Sequence, residues 1–579
     1  MRRLIILLLL LPPLHSAAHQ DGLLALPLSV HDGDAVELEC GRTYTGELRL
    51  AGLRDVTVRT RGDCGKASLT PAMPVAGWRR DPRQPNVWVA DIEVAPAQLQ
   101  LGTRFLPIAH YPNTAGNWLR GESRLPGQLR TRLPSADLAG ATLVWRAADW
   151  LIETRAIARY DGQTAYLAPG GDDAFGLLAE TEFYVEGKRW MLDAPGEWAF
   201  EAGQLYLWPP DGRSPQDRVW ASARASAIDA RDSHNVRIDG VRIFGATLGV
   251  DARGSRGLQL GDSVIENSGE AAILAGSDMR VLRVTVRGSV QDGLRAADDA
   301  RDVQVLDSRF DDVGMLGMPR RSRGAIVFEQ AQRVIVQRNR IRDAGYIGIR
   351  VFRDALVRDN EIVRACQRLD DCGGIYTFAR DRLPLHVHIE GNRIRRLGGR
   401  SAYGIYLDDF ANGVRVAGNE LVDNPGGMQL HNGFDNEIAG NAFINSQRQH
   451  ILFNETADFP AITGNRVLRN RFASAGDVPV YRLWSHHGGA HVGRFAQFAG
   501  NRYRDPPRHF ADVEGQGALA LDQWTAGPGN GDDSAARSSG MSAPAEAAEA
   551  SGPGPTSRSA ATPAPSMGPA RRAAPKLAR

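Results

Sequence analysis

Between residues 236 and 503 one short pattern keeps returning: an apolar residue, two variable positions, a slot residue, one variable position, an apolar residue. It appears as Ile238-Asp-Gly-Val241-Arg-Ile243, then as Leu260 to Ile265 with Ser263 in the slot, then as Val305 to Phe310 with Ser308. From there the slot reads asparagine, at Asn339, Asn360, Asn392, Asn419, Asn441 and Asn465, and again at Asn501, with spacings of 21, 32, 27, 22, 24 and 36. About ten residues after each copy comes a small residue followed by apolar and outward positions in alternation. Gly348-Ile-Arg-Val351, Gly374-Ile-Tyr-Thr377, Gly404-Ile-Tyr-Leu407, Gly427-Met-Gln-Leu430 and His450-Ile-Leu-Phe453 are examples. Strands this short, repeating every 21 to 24 residues, cannot close a core alone; stacked, they bury a continuous one. An asparagine at one turn position can bond its equivalents above and below. A leucine-rich horseshoe lacks its signature here, and a propeller blade needs about 40 residues. The expected fold is therefore all-β, a right-handed parallel β-helix of roughly ten coils.

The remainder of the chain falls around that stack. Met1-Arg2-Arg3, the apolar run Leu4–Leu11 and the small residues Ser16-Ala17-Ala18 read as a signal peptide over 1–18, with a secreted or periplasmic destination. Residues 19–84, including Val56-Thr-Val-Arg-Thr60, are expected to form an N-terminal cap and first coil. Residues 85–225 carry tryptophans and turn signals and read as an inserted β-rich domain, its aromatics serving as core. The β-helix proper is assigned to 226–515, and 516–579, rich in Gly, Ser, Ala and Pro, to a disordered tail. In an oxidising compartment the four cysteines pair locally, Cys40 with Cys64 and Cys366 with Cys372. No Cys or His cluster at ligand spacing accompanies them, so no metal site is assigned there.

The asparagine ladder, the Gly-Ile-Tyr rungs and the segment from Ala194-Pro-Gly-Glu-Trp198 to Trp208-Pro-Pro-Asp-Gly212 resemble the pectin-lyase-like superfamily. Within it they are similar to exported β-helical proteins that include glycoside hydrolases, over residues 30 to 510. The resemblance implies the fold and leaves the reaction open, because the superfamily holds hydrolases, lyases, epimerases and non-catalytic spikes.

Loops before three Gly-led strands, Gly314–Arg323, Ala365–Asp371 and Arg395–Tyr403, should wall a groove over one face. Strand alternation points Ile405 and Leu407 inward and Tyr406 and Asp408 outward, and the same phase exposes Arg350, Tyr376, Gln429, His431 and Asn454. Asp371, Asp408, Asp409 and His431 are the candidate catalytic groups. Arg350, Arg353, Tyr376, Tyr406, Gln429, Asn432 and Glu455 are the candidate substrate contacts. Glycoside hydrolysis needs two carboxyls, about 5–5.5 Å apart for retention or about 6.5–9.5 Å for inversion. Asp371 facing Asp408 or Asp409 from a neighbouring coil would supply them, and the arginines suit a uronate or sulfate. Each cluster also has a plain structural reading: aspartates end strands and solvate loops, and His431-Asn432-Gly433 can be a turn.

The leading expectation is a polysaccharide-degrading glycoside hydrolase that needs no cofactor. The first alternative is a uronate lyase or epimerase, for which the Asp clusters could hold Ca²⁺. Lysine chemistry is confined to Lys66, Lys188 and Lys576, so a lyase using lysine within the main stack is excluded. The second alternative is a non-catalytic carbohydrate-binding surface protein. The 69 basic and 67 acidic residues nearly cancel and argue for no nucleic-acid partner. No later apolar stretch is long enough for a membrane span, and a monomer acting on a polysaccharide or oligosaccharide, neutral or acidic, is expected.

Overall fold

The computed structural model describes residues 23–527, apart from 27–28, 114–117, 171–174, 223–225, 317–322, 380, 458–460 and 490. The expected signal peptide lies outside them, as does most of the expected tail. Three long sheets run side by side, of fourteen, thirteen and fourteen strands, and nearly all neighbouring strands pair in parallel. Each turn of chain lays one strand on each sheet. Ile341, Ile362, Ile394, Leu421, Phe443 and Phe472 follow one another in register on the first sheet, all fully buried or nearly so. The stack is longer than ten coils because Leu23–Ala25, Ala35–Glu39, Thr43–Thr45, Thr57–Arg61 and Ala67–Thr70 already join the first two sheets.

The corner between the second and first sheets explains the recurring pattern. A single left-handed residue turns the chain there: Asp262, Arg283, Asp307, Arg338, Asp359, Gly391, Gly418, Gly440, Arg469 and Gly500 all have φ between 47° and 68°. Glycine meets that geometry without cost, and Asp tolerates it by local hydrogen bonding. The slot residue comes next. Asn339 Nδ2 donates to Asn360 Oδ1 (3.0 Å), Asn360 to Asn392 (2.9 Å), Asn392 to Asn419 (2.9 Å) and Asn419 to Asn441 (2.9 Å). The ladder continues through Asn470 to Asn501, not through Asn465. Asn465 belongs to a second, shorter ladder with Asn436 (3.0 Å), at a different corner. Each ladder carboxamide also accepts the backbone N–H of the coil before it, so no buried amide is left unmatched along the line.

Arginine finds a use on the outside of the same corners. Arg283 forks onto Asp262 one coil away (2.7 and 2.5 Å), and Arg338 onto Asp307 (2.6 and 2.9 Å). These pairs are half exposed and screened by solvent, so they add little stability.

Between Thr70 and Ser226 the chain leaves the stack and builds antiparallel sheets of four, seven and four strands with cores of their own. Trp145 and Trp198 are interior there. This module is tied back to the stack by Gln98 Nε2 donating to the Asn267 carbonyl (2.9 Å) and Asn267 Nδ2 to that of Thr103 (2.7 Å). The two disulfides, Cys40–Cys64 and Cys366–Cys372, are as expected, and no cysteine is free.

At the far end one expected boundary moves. Gly517–Leu519 pairs antiparallel with Ala511–Val513, and a short helix, Leu521–Ala526, seats Trp524 on the last coil. Trp524 is fully buried against Tyr481 (ring centroids 4.9 Å, stacked), Phe498 and Phe510. The disordered tail thus cannot begin at 516: hydrophobic closure of the stack holds the chain to at least 526.

Replacing Asn392 by Ala removes a fully enclosed rung of the ladder and should destabilise the fold by about 1–3 kcal/mol, read as a lower urea midpoint. Arg283→Ala at the exposed corner should shift that midpoint far less. Titration of the native protein with a thiol reagent should find no reactive cysteine.

Candidate active site

The third sheet carries most of the candidate residues, on or beside five successive strands: Ile349–Val351, Cys372–Phe378, Ala402–Asp408, Gly426–His431 and Gln449–Glu455. Register aligns Arg350, Tyr376, Tyr406 and Gln429 in one row. Two residues further along, Phe378 pairs with Asp408, and His431 with Asn454. The stacking inference is therefore correct for these residues, and Asp408, Asp409 and His431 converge.

His431 is the centre of that convergence. Its Nδ1 lies 2.7 Å from Asp408 Oδ1 and 3.3 Å from Asp409 Oδ1, while Nε2 faces the Thr456 hydroxyl at 3.4 Å. Burial works against a charged ring, but the hydrogen bonds and charges of Asp408 and Asp409 outweigh it and push the His431 pKa up to about 10. At neutral pH the ring is an imidazolium. Asp408 is 1% exposed and takes a second hydrogen bond, 2.6 Å, from the Tyr376 hydroxyl. Burial and the Asp408 charge raise the Tyr376 phenol well above its usual range, so it remains a donor. Asp409 is the carboxylate of the pair with more solvent access, its side chain 13% exposed against 1% for Asp408.

The other half of the expected acid pair is placed differently. Asp371 precedes Cys372, which pairs with Ala402, whereas Asp408 pairs with Phe378 at the opposite end of the same strands. Asp371 and Asp408 are thus separated by about a strand's length, some seven residues of register, and are not lateral neighbours. Tyr406 lies between them: burial raises its phenol, and the charges of Asp371, Asp408 and Asp409 all add to that rise. Tyr406 packs edge-on to Tyr376 (5.3 Å) and to Tyr403 (5.6 Å). Among the described residues its hydroxyl has no protein hydrogen-bond partner.

Several expected substrate contacts prove to be internal. The outward row is covered rather than open: Tyr376, Tyr406 and Gln429 are each under 8% exposed. The inserted module reaches the adjoining loop at Asp149, whose carbonyl accepts the Asp370 amide (2.9 Å). Arg350 pairs with Glu329 (3.1 Å) and lies over the Tyr376 and Phe378 rings. Arg353 is held by Asp381 and by the carbonyl of Pro384. Glu455 is fully buried, accepting from Ser485 and from the Ile462 amide. Asn432, at φ 48°, receives the amide and hydroxyl of Thr456 (3.1 and 2.9 Å) and so sets the partner of His431. A pattern of alternation gives the direction a side chain faces but not what roofs that face.

Sequence reasoning missed Tyr346, whose hydroxyl donates to the Asp371 carbonyl (3.2 Å), and Thr456. It also missed Arg448, which lies 5.1 Å from the Tyr403 ring centroid. Asp370 lies in the loop that leads into Cys372. Its carboxylate receives the amides of Asp371, Arg400 and Ser401 (3.1, 3.0 and 2.6 Å), pinning one site loop to the next.

Donor atoms of Asp408, Asp409 and His431 lie within 4.8 Å of one another, the geometry of a possible cation site. A divalent ion there would displace the Nδ1 proton that both carboxylates share. Two carboxylates and one imidazole also fit Ca²⁺ poorly, since it takes six to eight oxygen ligands.

Residues 219–355 and 324–481 match the family described as a right-handed β-helix region. The stack is a right-handed β-helix. Among solved structures, a protein described as a glycoside hydrolase aligns with a TM-score of 0.58 at 15% identity, over 76% of this chain and 90% of its own. The catalytic unit of a thermostable GH87 α-1,3-glucanase from Streptomyces thermodiastaticus gives 0.38 at 12%, over 78% and 96%. PfbA, a surface adhesin of Streptococcus pneumoniae, gives 0.33 at 10%, over 52% and 78%. At these identities the likeness is one of fold. No curated protein matches the sequence significantly. Among the described residues no helix is long and apolar enough to cross a membrane.

Because the folded-state pKa of His431 exceeds its ordinary value near 6.5, its charge stabilises the β-helix fully below that value. The contribution is lost as pH rises through about 10. Proton NMR should place the His431 ring transition near pH 10, and Asp409→Asn should lower it; a midpoint near 6.5 in the native protein would contradict the assigned pairing.

Proposed function

We propose that this protein is a secreted or periplasmic glycoside hydrolase acting on a polysaccharide, with its reaction centre on the outer wall of the third sheet. The observation that supports this most is the Asp408–His431–Asp409 cluster, in which one carboxylate is buried and fixed while its neighbour keeps access to solvent. A structural ion pair alone would need one acid; the second leaves a carboxylate beside a cation at the edge of a roofed wall.

In this reading Asp409 touches substrate and serves as base towards water. Asp371, at the far end of the strands, is too distant to act on the same bond, and the His431 imidazolium protonates the leaving glycosidic oxygen. The C–O bond breaks as water adds its oxygen to the anomeric carbon; one proton leaves through Asp409 and one arrives from His431. Asp408 acts through His431 and Tyr376 as a positioning residue. Tyr406, enclosed in the wall, packs edge-on to Tyr376 and Tyr403 and holds that row in place. Arg350 and Arg353, engaged by Glu329 and Asp381, hold the wall together instead of reading an acidic sugar. Both disulfides suit an oxidising compartment.

A screen of the purified protein against neutral and acidic polysaccharides, following new reducing ends and ultraviolet absorbance, tests the reaction class. Reducing ends without an unsaturated product are expected. Asp409→Asn should lower kcat by about 10²–10⁴-fold while circular dichroism stays unchanged. Full activity in Asp409→Asn, or an absorbing unsaturated product, would overturn the assignment.

A further inference from the structure

The row that holds Asp408 and His431 does not stop at the reaction centre. Leu407 pairs with Leu430, which brings Asp408 level with His431; His431 pairs with Asn454, and Asn454 with Trp484. Trp484 thus stands on the same line of the same wall. It is two coils beyond His431, or about 10 Å at the spacing of adjacent strands. The strand that carries it, Tyr481–Ser485, is anchored from beneath by Tyr481 and Leu483, both essentially inaccessible.

Trp484 is 37% exposed, and it is the one aromatic among the exposed large apolar side chains of the described residues. Its neighbours on the wall are polar. His486, itself exposed, meets the indole edge-on with ring centroids 4.3 Å apart, and Asn454 is half-buried beside it. An indole bears more apolar area than nearly any other side chain and normally goes inside. Here a rigid rung holds it at the surface, where its face is available to a flat apolar partner and its flanks to hydroxyls. Aromatic rings elsewhere on this wall are covered, so the exposure is particular to this coil.

We infer that Trp484 is the stacking platform of a remote sugar subsite, so that the substrate lies along the helix axis and spans from Asp409 to the coil of Trp484. The inference rests on the polysaccharide reading above and extends it. The occupant is a pyranose ring of the same chain whose glycosidic bond lies at Asp409, its apolar C–H face on the indole. Asn454 and His486 are placed to meet its hydroxyls. A distance of about two coils exceeds one sugar unit, so recognition requires an oligomer and a lone monosaccharide glycoside would gain nothing from Trp484.

Affinity electrophoresis in native gels cast with soluble xylan, dextran, polygalacturonate or alginate tests this without depending on hydrolysis. At least one polymer should retard the wild type. Trp484→Ala should weaken that retardation about tenfold, and Trp484→Phe should retain part of it. Asp409→Asn should be retarded like the wild type. If a polymer is hydrolysed, Trp484→Ala should raise KM for it while leaving cleavage of a short chromogenic glycoside unchanged. Equal retardation of Trp484→Ala and wild type, or no retardation of the wild type by any of the four polymers, overturns the subsite. Retardation lost in Trp484→Ala with full activity in Asp409→Asn would sink the catalytic assignment alone. A change in sedimentation of the polymer-free protein in Trp484→Ala would assign this face to self-association and likewise overturn it.

Discussion

Every property of this molecule depends on equivalent residues lying directly above one another from coil to coil. Parallel pairing sets the height of each strand, but a parallel strand can slip along its neighbour unless its corners are fixed. Here the corner is fixed twice: by a single left-handed residue that turns the chain, and by an enclosed carboxamide that bonds the next coil's carboxamide and the previous coil's amide. A one-residue slip would leave those groups unmatched in the interior and reverse which side chains face inward. The cost of each orphaned group, about 1–3 kcal/mol, is multiplied along the ladder. The reaction centre inherits that registration, since Asp408 and His431 meet only because their strands are aligned to the residue.

That dependence explains which parts of the sequence were readable. Periodic spacing exposes a stack because the same corner chemistry recurs, and it correctly brought Asp408, Asp409 and His431 together from positions 23 residues apart. It failed for Asn465, where two asparagines five residues apart occupy two different corners and only contact geometry tells Asn470 from Asn465. It failed again for Asp371, because a loop residue carries no phase: the cystine and the amides bound by Asp370 determine where that loop delivers its carboxylate.

Burial was the least legible quantity. Alternation reports inside or outside relative to the sheet, and Tyr376, Tyr406 and Gln429 are outside it yet enclosed. The loop beside them is held by sequence more than 200 residues earlier, through the Asp149 carbonyl that accepts the Asp370 amide, which no local pattern can announce. Enclosure changes their chemistry. Phenols held protonated beside fixed carboxylates act as donors, and an imidazole in the same surroundings retains its proton well into alkaline conditions. The arginine richness of the chain is similarly explained outside the reaction centre: guanidinium forks bridge corners one coil apart, a geometry lysine cannot reproduce.

The helix that seats Trp524 on the final rung bears on how such a molecule remains finite. A parallel stack presents at its terminus a strand edge and an aromatic cross-section that could template another copy, just as each rung templates the next. Gly517–Leu519 runs the opposite way along that edge, and the indole covers Tyr481, Phe498 and Phe510. The closing residues thus act as a terminator of growth, so that the architecture which joins coils within one polypeptide does not go on to join molecules into fibres.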